Sequence, residues 1–288
     1  MKKIINTALI ALLFYSTANA QKPDKVLARV RYSFVHQRDT NRRNDPYTEN
    51  MLLLIGKNES LFTSYDRIVR EENSRKQEAA YIKTEAGGAP MGNLKTKSAP
   101  FKPVTLVDYY FFVKENKWVT KDKVMTVYLV TEEAPRINWK MSRDTASFSG
   151  ITCKKATAYF RGRNWIAWYA PELPFSSGPW KLNGLPGLIV EAYDEKKEVK
   201  FQFAGIDKAT KENTDENSFY FSSDFKVPGD AKSATRSEFD KLKAAFDADP
   251  IGFHAAASGM PRNRVLVGGS TSGIVHNIIN NPIELPER

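Results

Sequence analysis

Four of the five tryptophans, Trp139, Trp165, Trp168 and Trp180, fall within residues 139–194. Asp144, Glu172, Glu191 and Asp194 are interleaved with them, and Lys154, Lys155, Arg161 and Arg163 lie on the same stretch. Aromatic rings beside carboxylates suit hydrolysis of a glycan or peptide, provided that two carboxyls face one another across a cleft. Rings without such a pair suit a ligand-binding floor, or simply a packed core. The four cations suit an anionic group, or a charged strand edge that deters edge-to-edge pairing. With 33 Asp and Glu residues in the chain, chance alone places carboxylates near these rings. Hydrolysis is therefore the alternative and binding the leading reading.

Other routes to catalysis are thinner. There is no H-E-x-x-H pair, Walker loop or dinucleotide fingerprint. Gly269-Ser270-Thr271-Ser272-Gly273 has the outline of a nucleophile elbow, but its centre is Thr271 and no strand-to-helix pattern surrounds it. It reads as a Gly/Ser turn. His36, His254 and His276 lack the spacing of zinc ligands, and each reads as a lone surface or interface imidazole. No catalytic residue, metal or cofactor is assigned.

Hydrophobic patterning predicts the framework that positions these residues. Val26–Val35 alternates as a half-buried strand does, Met51–Ile55 is a continuous apolar strand, and Leu61–Ser64 returns antiparallel. Tyr65–Thr84 is charge-rich and reads as an exposed helix. Residues 86–103 combine Gly, Pro, Ser and Lys and read as a mobile loop within one domain. Leu106–Val113, Lys117–Lys121 and Val124–Thr131 form a meander, and Trp139–Ser147 is a further strand ending near the Gly150 turn. Cys153–Phe160 and Trp165–Ala170 flank Arg161-Gly162-Arg163-Asn164, a hairpin signal. Leu188–Tyr193 and Val199–Phe203 form a second hairpin. Thr235-Arg236-Ser237-Glu238 has capping-box spacing ahead of a Phe239, Leu242, Phe246 stripe, and Asp249-Pro250 stops that helix. A short apolar strand is expected after Val265.

In Trp165–Ala170, alternation sends Trp165 and Tyr169 to one face and Ile166 and Trp168 to the other. Two apolar faces imply a central strand, or a bent sheet with an aromatic inner surface. Gly184-Leu185-Pro186-Gly187-Leu188-Ile189 reads as a type II turn feeding a strand, with Pro186 and Gly187 at its centre and Gly184 allowing a close backbone approach.

That last hexapeptide is the motif that names the GLPGLI family of exported proteins from Gram-negative bacteria, which this chain resembles. The resemblance extends through Cys153–Thr157, Phe160–Arg163, Ala167–Tyr169 and Gly178–Trp180, and Asn281–Leu285 is similar to the family's closing motif. It implies a fold like the N-terminal bowl-shaped, β-rich domain of a type II flavobacterial peptide N-glycosidase, a domain that accompanies the catalytic module and is not itself catalytic. It also implies an accessory role beside a TonB-dependent outer-membrane transporter or another envelope protein.

The N-terminus agrees with export. Lys2 and Lys3 precede an apolar run from Ile4 to Tyr15, and Ala18-Asn19-Ala20 has the form of a cleavage site, so residues 1–20 read as a signal peptide. Its removal lowers the formal charge from +10 to +8. Later apolar runs are too short to span a bilayer, and the mature chain is expected to be soluble. Basic residues are interleaved with acidic ones, and an exported chain rarely meets nucleic acid, so none is expected as a partner. Cys153, the single cysteine, rules out an internal disulfide and reads as a buried small hydrophobe.

The expectation is thus an α+β chain, predominantly antiparallel β, over residues 21–288, with a strongly curved bowl-like sheet and one or two peripheral helices. It is expected to be periplasmic, outer-membrane associated or secreted. Candidate binding residues for a peptide, glycan or protein partner are Trp139, Arg161, Arg163, Trp165, Trp168, Tyr169 and Trp180. Gly184, Leu185, Pro186, Gly187, Leu188 and Ile189 form the structural motif.

Overall fold

The structure is a computed structural model that describes residues 23–86, 103–264 and 279–287. The expected signal peptide, nearly all of the loop expected at 86–103, the turn expected at Gly269–Gly273, His276 and the apolar strand expected after Val265 lie outside the described residues.

Strands β1 (Ala28–His36), β2 (Tyr47–Ile55) and β3 (Glu59–Ser64) lead into helix α1 (Tyr65–Ala86). The meander follows as β4 (Asp108–Phe112), β5 (Lys117–Val124) and β6 (Thr126–Glu133), and then come β7 (Lys140–Phe148), β8 (Ile151–Phe160) and β9 (Arg163–Ala170). The second hairpin is β10 (Leu188–Asp194) with β11 (Val199–Lys208), and β12 (Lys232–Thr235) precedes α2 (Arg236–Ala248) and α3 (Pro250–Ser258). Among the described residues these strands form one open, curved sheet in the order β12-β6-β5-β4-β3-β2-β1-β11-β10-β9-β8-β7. All pairings are antiparallel except β12 with β6. Register shifts at Arg31/Tyr32, Ile189/Glu191 and Met141/Thr145 add the local bending that bulges supply.

The sheet is covered on both faces, which explains the unbroken apolar run of β2. Met51, Leu53 and Ile55 join Val30, Tyr32, Phe34, Trp165 and Phe201 in the larger, inner core. Leu52 and Leu54 point the other way, to a core with Leu61, Ile68 of α1, Tyr110, Tyr220 and Phe225. That outer core holds a buried Asp108 carboxylate, neutralised by Arg67 and by Lys121 at 2.9 Å, with Thr63 and Tyr220 hydroxyls at 2.6 and 3.0 Å. A buried charge persists only with such pairing. From Val69 to Ile82, α1 is largely solvated, as its polar sequence predicts.

Two tight turns use consecutive residues with positive φ. Arg161 (49°) and Gly162 (75°) join β8 to β9, while Ser149 (51°) and Gly150 (83°) join β7 to β8. Two-residue loops of this conformation match the twist of the strands they connect. Phe160 therefore pairs with Arg163, which belongs to β9 rather than to the loop.

Three elements differ from the sequence reading. Helices number three among the described residues rather than one or two. Pro250 does stop α2, yet it also opens α3, where its missing N–H costs nothing and Asp249 caps by accepting from Gly252 N. β12 is a parallel edge strand too short and polar to show a period. In the GLPGLI segment, Gly187 N donates to Leu185 O at 2.8 Å, a three-residue turn about Pro186, and Leu188 N donates instead to Leu173 O. The close approach belongs to Gly187, whose added Cβ would lie 2.2 Å from Ala170 O, whereas Gly184 faces open space.

Candidate functional site

Strand alternation places Tyr32, Phe34 and His36 in a row on the inner face of β1, and the β1–β11 register sets Phe34 opposite Phe201. Those two rings stack with centroids 4.9 Å apart, and Phe62 of β3 meets Phe201 edge-on at 5.8 Å. The irregular excursion between β9 and β10 folds back over this face and buries Trp180 against Trp165 (5.6 Å) and Phe160 (5.9 Å). Trp165 in turn stacks on Phe201 at 6.2 Å. The outcome is a continuous aromatic layer, each contact adding to the area it removes from water.

A cavity of about 400 Å³ opens onto this layer. Its walls are Phe34, Met51, Phe62, Tyr109, Trp180 and Phe201, closed by Ile279, Pro282 and Ile283 from the C-terminal segment. Polar groups are few: His36, Arg38, Thr105, and Lys243 from α2. The volume and the apolar lining with sparse polar groups are those of a small-ligand pocket, for which ~300–1,000 Å³ is usual.

The C-terminal segment is clasped. Arg163 spends its guanidinium on Asn281 Oδ1 (2.7 Å), Pro282 O (2.7 Å), Ile283 O (2.9 Å) and the Asp194 carboxylate (2.8 Å). Asn281 also donates to Gln37 O and Glu198, and Leu285 N donates to Arg161 O. His36 Nε2 donates to Asn281 O at 2.8 Å, which leaves Nδ1 of the neutral ring as an acceptor. Burial pushes the His36 pKa down to about 4; Arg38 and Arg163 push the same way, against the Asn281 carbonyl. Neutral imidazole is therefore the form present at pH 7. Arg38 lies over the Tyr47 ring at 3.3 Å, and the Tyr47 hydroxyl donates to Glu49 at 2.8 Å.

A second polar hub sits beside the aromatic layer. Buried Lys181 is 2.7 Å from Glu132 and 2.9 Å from Glu284, and Glu132 also meets Arg161 at 3.3 Å and Arg236 at 3.5 Å. Burial alone would raise the Glu132 carboxyl, but Lys181, Arg236 and Arg161 outweigh it and hold it below its ordinary value.

The sequence-derived candidates divide among these places. Of the seven, only Trp180 lines the cavity. Trp165 and Tyr169 are core residues, and Arg163 is buried in the clasp. Arg161 joins the Glu132 hub, and half-buried Trp139 donates its indole N–H to Asn183 O at 2.8 Å. Trp168 lies on the opposite face, 5.7 Å from Phe148 with Lys155 at 6.0 Å. Within the motif, Leu185, Leu188 and Ile189 are buried and Gly187 makes the tight approach. His36, read as a surface or interface imidazole, is instead buried, and His254 rests on Phe246 at 5.9 Å. Cys153 is a free, buried thiol.

The four carboxylates have separate surroundings. Asp144 pairs with Lys155, Asp194 with Arg163, and Glu172 is exposed. Glu191 is half-buried, its carboxyl raised by burial with Lys200 opposing. Among the described residues, no group of three or more His, Cys, Asp or Glu side chains has the arrangement to hold a metal ion. No described helix is long and apolar enough to cross a membrane, which says nothing of spanning by strands.

The cavity walls that sequence reasoning missed, Phe34, Phe62, Tyr109 and Phe201, each sit on a different strand. The available signal was the Tyr32, Phe34, His36 alternation, aromatic at every second position.

A family model described as a protein of unknown function (Porph_ging) matches residues 161–191. That span runs from Arg161-Gly162-Arg163 through the GLPGLI hexapeptide, the stretch that carries the resemblance to the GLPGLI-type family. No curated protein matches the chain. Among solved structures, it is similar to PNGF-II in its P21 and C2 space groups, each at 12% identity and a TM-score of 0.48. These matches cover 75% of this chain but 33% and 32% of the PNGF-II chains, so it spans about a third of their length.

Proposed function

We propose that this chain is an exported, non-enzymatic binding or accessory protein of the bacterial cell envelope. It holds an apolar group of its ligand in the inner-face cavity and works with a partner such as a TonB-dependent outer-membrane transporter. The observation that carries this reading is the cavity of about 400 Å³, aromatic on most sides and with no paired acid and base among the residues that line it. A functional cavity of this kind binds by burial, at about 25 cal/mol per Å² of apolar surface removed from water. Location and transporter partnership come from the N-terminal sequence and the family resemblance.

The test is titration of the signal-free chain with the neutral fluorophore N-phenyl-1-naphthylamine, following its emission. One saturable site is expected, lost in Ile279→Trp, which places a large ring at the exposed edge of the cavity. Absence of saturable binding, with an unchanged thermal melt, overturns the proposal.

One observation favours the alternative, a carboxylate-dependent hydrolase. Glu191 combines a raised carboxyl with a position across from Trp168 in the β9–β10 register. Turnover of a glycan or peptide substrate that disappears in Glu191→Gln would establish that reading in place of the first.

A further inference from the structure

We infer that the ligand selected by the cavity is an amphiphilic anion, with an apolar body on the aromatic walls and one carboxylate or phosphate group against Arg38. This rests on the cavity being a binding site, as proposed above, and names the class of its ligand.

The argument is one of uncompensated charge. Arg38 lines the cavity half-buried, its guanidinium stacked on Tyr47, and among the described residues that guanidinium has no carboxylate or hydrogen-bond partner. The carboxylates around the site are already engaged. Glu49 accepts from Ser64, Tyr47 and both the amide and hydroxyl of Thr105. Glu284 is held by Lys181 and Arg161, and Glu198 faces Arg43, Arg163 and Asn281. A second cation, Lys243, reaches the same cavity from α2; it also faces the Asp122 carboxyl, which Arg236 shares, and its contact with Asp247 is a loose 3.8 Å between exposed groups. His36 adds no competing charge, because its ring is neutral and its N–H is spent on Asn281.

A stacked guanidinium keeps its N–H edge for a planar or tetrahedral oxyanion, which it binds through two parallel hydrogen bonds. Stacking also fixes the side chain in advance, so less rotamer freedom is lost when the anion arrives. Opposite Arg38 the walls offer rings and aliphatic carbons, surfaces that a purely polar anion such as acetate or inorganic phosphate cannot use. An apolar chain with one oxyanion end matches both halves.

The test displaces N-phenyl-1-naphthylamine from the signal-free chain with decanoate, decyl phosphate, decanol and acetate. Decanoate or decyl phosphate should compete at least tenfold more tightly than decanol, and acetate should not compete. The tighter of the two anions tells a free carboxylate from a lipid-type phosphate. Arg38→Gln should weaken the anions about tenfold while leaving decanol within twofold, and Lys243→Gln should weaken them about threefold. Equal competition by decanol and both anions, insensitive to Arg38→Gln, overturns the inference and leaves the binding proposal standing. A chain with no saturable fluorophore site overturns the proposal itself. Lys243 is exposed on α2, so its variant separates a charge effect from a folding defect.

Discussion

Arg163 on β9 donates to Asn281 Oδ1 at 2.7 Å, joining residues 118 positions apart in sequence. The guanidinium makes three further bonds within 2.9 Å, to two backbone carbonyls of the closing segment and to Asp194. Arg163→Met would leave Asp194 buried without its cation and Glu198 with only the exposed Arg43, and removing one partner of a buried pair costs about 3–5 kcal/mol. Urea unfolding should show that loss, with early proteolysis within residues 279–287. Arg163→Lys keeps the charge without the fork and should fall between the two. A Met variant as stable as the parent would remove the clasp from the account.

The two outer glycines of the GLPG turn should respond differently to alanine. Gly187 has φ of 144° and no room for a Cβ, so Gly187→Ala must move β10 away from Ala170. A loss of about 3 kcal/mol or more is expected. Gly184 has φ of 86° but open space around it, so Gly184→Ala should cost about 1–2 kcal/mol from conformation alone. Thermal melts of the two variants check the order, and a reversed order would contradict the packing described.

His36 makes stability depend on pH. Its folded pKa of about 4 lies below the ordinary 6.5, so the unfolded chain binds more protons between those values. The neutral ring's contribution is complete above pH 6.5 and is lost as pH falls toward 4. At about 1.4 kcal/mol per pH unit the effect is capped at roughly 3.5 kcal/mol. Urea unfolding at pH 7.0, 5.5 and 4.5 should show a steeper loss in the parent than in His36→Gln. Parallel pH profiles would exclude the imidazole as their cause.

Cys153 should be inert in the folded chain. Burial raises its thiol to about 11, with Glu191 adding to the rise, so thiolate is scarce at neutral pH and access is closed. Iodoacetamide at pH 7.5 should label it only after denaturation. Rapid labelling of the native protein would show that β8 opens there.

Much of the framework was legible because its signals are local. The alternation of β1, the capping box of α2 and the Arg161-Gly162 turn each depend on neighbours within a few residues, and each stands where the pattern predicts. The cavity was not legible, for the opposite reason. Phe34 and Phe201 meet only through the β1–β11 register, Phe62 and Tyr109 only through β3–β4, and nothing in a single segment encodes those pairings. The tryptophan-rich stretch drew attention by its composition. Yet dense aromatic residues are equally what a buried layer requires, and Trp165 and Tyr169 serve there. β12 escaped because four residues in a parallel edge, only Ala234 of them apolar, carry no period at all.

The position of β1 between β2 and β11 has a kinetic consequence. The ladder between β1 and β11 cannot begin until Val199 has been made and is complete only at Lys208, so until then the growing chain has one side of β1 unsatisfied. Loop-closure entropy must be met before that pairing contributes anything, which places the slow step of refolding at the seam where the two halves of the sheet join. Substitutions at Phe34 and Phe201 should therefore retard refolding more than equally destabilising changes within the β4–β6 meander.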